Sequence, residues 1–153
     1  MQKYLLVVDL QKANSEGVEK FTRKLEDWIN AHAHEYVAVF ATMRKNTKVD
    51  NFERHLKDNS CQDPKLLNFH CDKVIEKEGY GLDEVGYNCI PRNAHIDVVG
   101  METQASIMAI ALDLFGLGYD FTVYEDLCYC NDGKDIHKAA VTCLKSSIGT
   151  ALR

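Results

Sequence analysis

The sequence predicts an α/β fold of three α-β-α layers around a doubly wound, mostly parallel sheet, and three observations carry that prediction. Short apolar runs of strand length alternate with stretches of helical periodicity. The runs are nearly continuous in hydrophobicity, as strands covered on both faces must be. Parallel neighbours need crossover connections, which are right-handed in almost every known case, and the intervening segments are long enough to supply them.

Residues 4–9 (YLLVVD) are too short for a helix, rich in branched side chains and closed by a carboxylate, so they read as the first strand. A helix pattern begins at Ser15, its expected N-cap. It places Val18, Phe21, Leu25, Trp28 and Ile29 on one face and leaves Lys20, Arg23, Lys24 and Asp27 to water. Residues 36–42 (YVAVFAT) are the second strand. The polar stretch 43–61 offers only a short helical possibility over 52–56, and its length marks it for function or an interface.

Residues 73–76 form a brief strand, followed by Lys77 and the flexible 78–81 (EGYG). Residues 96–100 (IDVVG) are a strand. The stretch 103–117, apolar almost all round, is a helix buried against the sheet and ended by Gly116 and Gly118. Residues 120–125 (DFTVYE) give a fifth strand. Over 135–147 a last helix turns Ile136, Ala140, Cys143 and Leu144 inward and stops at Gly149. With no repeats, low-complexity tracts or linkers, residues 1–153 read as one domain.

A chain of 153 residues buries roughly 68–70% of its extended surface, so it needs no disulfide or metal staple. Its 46% hydrophobic and 27% charged content, with 2 Pro and 9 Gly, excludes collagen-like and disordered classes. A formal charge of −5, a pI near 5.6 and no dense Lys/Arg cluster argue against nucleic-acid and anionic-membrane surfaces. Small molecules or proteins are the expected partners. The first ten residues lack signal-peptide features and no apolar stretch approaches about 18 residues, so a cytoplasmic location and reduced thiols are expected for the six cysteines.

In doubly wound sheets ligands bind beyond the carboxyl ends of the strands, where strand order switches. Asp9, Lys77, the turn over 100–106 and the segment after Glu125 all fall there. A carboxylate ending a buried strand must be compensated, so Asp9 is either a structural acceptor or an acid/base. Lys77 is a solvated surface group or a counter-charge. Ser106 sits among the unpaired amides of a helix start, as part of an oxyanion site or simply bonded back to a carbonyl. Cys128 and Cys130 form a C-x-C near the same edge, fit for a spare thiol or metal ligand but equally for structural thiols. His55 and His70 lack partners at zinc spacing, and His32 and His34 close a helix. Leu10-Gln11-Lys12 replaces the glycine-rich turn that a dinucleotide site requires.

Together these segments resemble the isochorismatase-like hydrolases, the superfamily of cysteine amidases that includes nicotinamidases. Leu6-Val7-Val8-Asp9-Leu10-Gln11 is similar to the first motif of that family, Val74-Ile75-Glu76-Lys77-Glu78-Gly79-Tyr80 to its lysine motif, and Val98 through Ile107 to the segment bearing its nucleophile. Ala111-Leu112-Asp113, Glu125-Asp126 and the helix through His137 to Ala140 extend the likeness over nearly the whole chain. The resemblance implies Asp9 as general base, Lys77 as the group that activates the nucleophile, and the amides of Glu102 and Ser106 as oxyanion hole. It also implies a cis peptide bond between Met101 and Glu102 that turns a backbone amide toward the substrate.

Two departures shape the expected function. Ser106 stands where the family carries its nucleophilic cysteine, and a hydroxyl needs a well-placed base that a thiolate does not. Thr42-Met43-Arg44-Lys45-Asn46 stands where nicotinamidases carry an aspartate and histidine cluster, so no metal and no cofactor is expected. The reading is a hydrolase of a small amide or related C–N or vinyl-ether substrate, working with Asp9, Lys77 and Ser106. The alternative is a catalytically inactive relative that binds a ligand or assembles. Relatives are commonly dimers or larger, so a homo-oligomer is expected.

Overall fold

The computed structural model describes residues 1–47, 51–58 and 64–153. Five strands, β1 (Lys3–Val8), β2 (Ala38–Arg44), β3 (Lys73–Lys77), β4 (His95–Met101) and β5 (Asp120–Tyr129), form one parallel sheet in the order β3-β2-β1-β4-β5. The helices are α1 (Glu19–His32), α2 (Asn51–Leu56), α3 (Glu84–Asn88), α4 (Met108–Gly116) and α5 (Lys134–Ile148). This is the doubly wound α/β architecture that the alternating pattern predicts.

The continuous apolar strands follow from the layers. On one face of the sheet Leu6, Val8, Ile96 and Val98 pack with Ile110, Leu114 and Leu144. On the other, Leu5, Val7, Val39 and Val99 pack with Leu25 and Ile29 of α1. Successive side chains of a strand point to opposite faces, so these strands are apolar at most positions.

Strand order switches between β1 and β4, and the close approach of the two strands there depends on a glycine. Gly100 has φ +128°, and a Cβ at that position would lie 2.2 Å from the Val8 carbonyl oxygen. Backbone cannot yield to such a contact as a flexible side chain can. A register shift between Val98 and Gly100 in the pairing with β5 accompanies it, and Cys128 comes to pair with Gly100.

Several elements differ from the sequence reading for local reasons. Ser15 does not cap α1: its hydroxyl donates to the Lys12 carbonyl at 2.7 Å in a 3₁₀ turn, and the helix starts four residues later, at Glu19, whose carboxylate accepts the Gly17 amide. The segment 103–117 is not one buried helix. A π-helical turn, Thr103–Ile107, precedes α4, and only Ile110, Ala111 and Leu114 of α4 are buried, leaving Leu112, Phe115 and Leu117 exposed. The inward stripe of α5 is Ala140, Leu144 and Ile148, spaced four residues apart. Ile136 and Cys143 face out. β5 runs on to Tyr129, so Cys128 lies within the strand and the core rather than after it. The short α3, capped by Asp83 accepting the Gly86 amide at 2.8 Å, has no apolar periodicity to announce it. Cys61 and part of the 43–61 stretch lie outside the described residues.

Gly100→Ala should cost at least about 3 kcal/mol, or prevent folding altogether, because backbone must move to admit the methyl group. Urea unfolding against the wild type measures this. Gly116→Ala, where added bulk meets nothing, serves as control.

Candidate active site

Asp9 is the first residue beyond β1 and has φ +46°, a left-handed conformation that aspartate tolerates better than most residues. The turn is held by local bonds: the Gln11 amide and the Asn14 side chain both donate to the Asp9 carbonyl, at 2.8 and 3.0 Å. The buried Gln11 side chain in turn pairs with both backbone groups of Arg44 at the end of β2. The ends of β1 and β2 are therefore locked together, and the Asp9 carboxylate is fixed at the switch point.

That carboxylate is only 1% exposed and is met from three directions. Thr42 of β2 donates its hydroxyl to Oδ1 at 2.6 Å, and its oxygen accepts the Asp9 amide. Lys77, the last residue of β3, sets Nζ 2.8 Å from Oδ2. Ser106, in the π-helical turn after β4, donates Oγ–H to the same Oδ2 at 2.6 Å. The three residues named from strand ends thus come together in one hydrogen-bonded cluster, with Lys77 Nζ also 3.1 Å from Ser106 Oγ.

Lys77 further donates to the carbonyls of Gly79 and Tyr80, both at 2.8 Å. An ammonium has three protons and no lone pair. With two protons on carbonyls and the third facing Asp9 and Ser106, Lys77 is a fixed positive charge and not a base. The loop 78–81, flexible by composition, is the part of the chain that holds this lysine in place.

The Met101–Glu102 peptide bond is cis. Glu102 accepts the Asn131 amide on Oε2 at 2.7 Å, while its Oε1 is buried with no hydrogen-bond partner among the described residues. Burial, followed by the nearby negative charge of Asp132, pushes this carboxyl up to about 7, against the Asn131 amide, the weak Cys130 thiol donor and Arg44, which pull it down. Met101, by contrast, is wholly buried in the core and presents no side chain to a ligand.

Asp9 and Ser106 reach a cleft of about 380 Å³ also bordered by Arg44, Glu102, Gln104 and Asp132. Arg44 is nearly buried, its guanidinium 4.4 Å from the centre of the Phe52 ring and 3.2 Å from an Asp58 oxygen. The two cysteines near this edge are poor nucleophiles. Burial pushes Cys128 up to about 12 and Cys130 up to about 11, so neither offers a thiolate near neutral pH. His70 lies at the surface beside Asp72, and His55 is exposed on α2.

No family model matches the sequence, and no curated protein matches it. Solved structures do match. A nicotinamidase from Bacillus subtilis superimposes with a TM-score of 0.78 over 99% of each chain at 14% identity. An isochorismatase-like hydrolase from Alkaliphilus metalliredigens gives 0.77 at 14% identity, covering 99% of this chain and 94% of its own. An N-carbamoylsarcosine amidase from Thermoplasma acidophilum gives 0.71 at 16% identity, covering 100% and 96%. The chain has the isochorismatase-like fold.

At the end of β2 and just beyond it stand Arg44, Lys45 and Asn46, two cations and an amide, which are not a donor set for a divalent metal. No group of three or more His, Cys, Asp or Glu among the described residues is arranged to hold an ion. No helix among them is long and apolar enough to cross a membrane.

Removing Lys77 strands a buried carboxylate. Lys77→Met is expected to lower stability by roughly 3–5 kcal/mol, and Asp9→Asn combined with Lys77→Met by less than Lys77→Met alone, since the stranded charge is then gone. Urea unfolding of the two variants gives both values. A loss under about 1 kcal/mol for Lys77→Met would mean the pair is effectively solvated.

Proposed function

We propose that this chain hydrolyses a small amide or related C–N bond, with Ser106 as nucleophile, Asp9 as the group that takes and returns the proton, and Lys77 as counter-charge. The observation that carries this reading is the Ser106 hydroxyl donated to Asp9 Oδ2 at 2.6 Å inside a cleft. Two of the similar structures are amidases by name, a nicotinamidase and an N-carbamoylsarcosine amidase, which supports amides as the substrate class.

In the proposed reaction Asp9 accepts the Ser106 proton as Oγ attacks the amide carbon, and Lys77 offsets the negative charge that builds up beside it. The amides of Glu102 and Ser106 are the proposed donors to the carbonyl oxygen as it becomes an oxyanion. Asp9 then returns the proton to the departing nitrogen, leaving an ester on Ser106. Water, losing a proton to Asp9, attacks that ester, and Asp9 returns the proton to Ser106 Oγ as the ester bond breaks and the acid is released. No step uses a metal. For a vinyl ether the same site would act with Asp9 as general acid and without the ester.

Ser106 itself favours a second reading, a ligand-binding or assembly protein that keeps the cleft and has lost turnover, because a hydroxyl is a far weaker nucleophile than a thiolate. We further take the protein to be cytoplasmic, and also a dimer or larger, the oligomer supported by the exposed Leu112, Phe115 and Leu117 at and just beyond α4.

Ammonia release from a panel of small primary amides tests the hydrolase reading. Ser106→Ala and Asp9→Asn should each lower the rate at least about a thousandfold. Mass spectrometry of the wild type under slow turnover should find an acyl group on the peptide holding Ser106. Turnover that survives Ser106→Ala rules out the serine ester, and saturable binding with no turnover supports the second reading.

A further inference from the structure

The walls of the cleft carry a charge and hydrogen-bond pattern that the cleavage chemistry does not use. Where Asp9 borders the cleft its carboxylate is paired with Lys77, and the Arg44 guanidinium is stacked on Phe52 and paired with Asp58. What is left over is acidic. Glu102 and Asp132 both border the space, and Arg44, the cation that acts on Glu102 among the described residues, is already engaged with Asp58.

The polar atoms without partners point to the same ligand. Two buried acceptors of residues that border the cleft, Glu102 Oε1 and Gln104 Oε1, make no well-formed hydrogen bond among the described residues, the weak Cys130 thiol being the side-chain donor near Glu102. Gln104 cannot turn its amide to answer this, because Nε2 already donates to Asp132 Oδ2 at 3.0 Å. An acceptor left without a donor in a buried place costs about 1–3 kcal/mol, and a ligand rich in N–H groups removes that cost. A carboxylate-bearing ligand would add to it.

We propose that the substrate is a small amide carrying a positively charged nitrogen, an ammonium or guanidinium, recognised by the Glu102 carboxylate with Asp132 and Gln104 beside it. This rests on the reading of the cleft as the place where an amide is cleaved, and it makes Glu102 a specificity-determining residue through its side chain as well as its amide. A cation beside Glu102 replaces the missing compensation, so binding draws the carboxyl into its ionised form. The preference for a cation therefore grows as pH rises through about 7 and levels off above it. The groups that face this carboxyl are Asp132 and Cys130 from the segment after β5 and Arg44 from β2. Cys130, pushed up to about 11 by burial, stays protonated over that range.

Three matched probes test the inference: para-aminomethylbenzamide, para-toluamide and para-carboxybenzamide. Their binding is measured by titration calorimetry to Ser106→Ala, so that turnover does not intervene. The cationic probe should bind at least about tenfold more tightly than the neutral one, with the anionic probe weakest. Glu102→Gln should collapse the cation-to-neutral ratio toward unity. Asp132→Asn, an exposed position that poses no risk to folding, should reduce it in part. Equal affinities, a preference for the neutral or anionic probe, a ratio unchanged in Glu102→Gln, or no saturable binding of the cationic probe would each overturn the proposal. Its failure is separable from that of the hydrolase reading. Charge-selective binding without wild-type ammonia release would leave the cation site standing and remove the hydrolase. Ammonia release without charge preference would do the reverse.

Discussion

One buried carboxylate organises this molecule. Asp9 has almost no contact with water, and an ionised carboxylate in such a place is tolerable only when charge and hydrogen bonds surround it. The compensation comes from two strands and the turn after a third: Thr42 at one oxygen, Lys77 and Ser106 at the other. The donors come from β2, β3 and the turn after β4, so the sheet order is itself a condition of the site. Gly100 belongs to the same constraint, since without the tight approach of β4 to Val8 the turn bearing Ser106 would not reach Asp9.

The same geometry divides the chemical roles. The lysine is spent on two carbonyls and the aspartate, so its contribution is charge and position. The aspartate accepts the serine's hydrogen bond directly. The serine is thus oriented toward a carboxylate, an arrangement in which proton transfer and attack can occur together. That is what a hydroxyl needs and a thiol, ionised beforehand, does not. With a serine at position 106, the proposed reaction makes its demand on Asp9 more than on the lysine, and on this account the rate depends on how well that single hydrogen bond is held.

Much of this was legible in the sequence, and the exceptions have physical causes. Continuous apolar strands announce a parallel sheet, and Asp9, Lys77 and Ser106 stand out as polar groups where such strands end. Thr42 does not stand out. A threonine inside the apolar run YVAVFAT reads as an ordinary strand residue, because its role is set by the neighbouring strand and not by its own periodicity. Glu102 drew notice only for its backbone amide, as the state of its carboxyl depends on Asn131 and Asp132, about thirty residues away in the chain. The stripe of α5 and the outer face of α4 were misjudged for a common reason. Apolar composition says that a helix can be buried, but only packing decides which face is.

The most direct test of the central claim, that the Asp9–Lys77 pair activates the residue at position 106, needs no known substrate. It is the alkylation rate of the thiol introduced by Ser106→Cys, followed by peptide mass spectrometry near neutral pH with the native cysteines as internal controls. The account predicts that the introduced thiol reacts much faster than exposed Cys143, and that adding Lys77→Ala slows it to the rate of an ordinary thiol. A thiol no faster than Cys143, or one indifferent to Lys77→Ala, would contradict it.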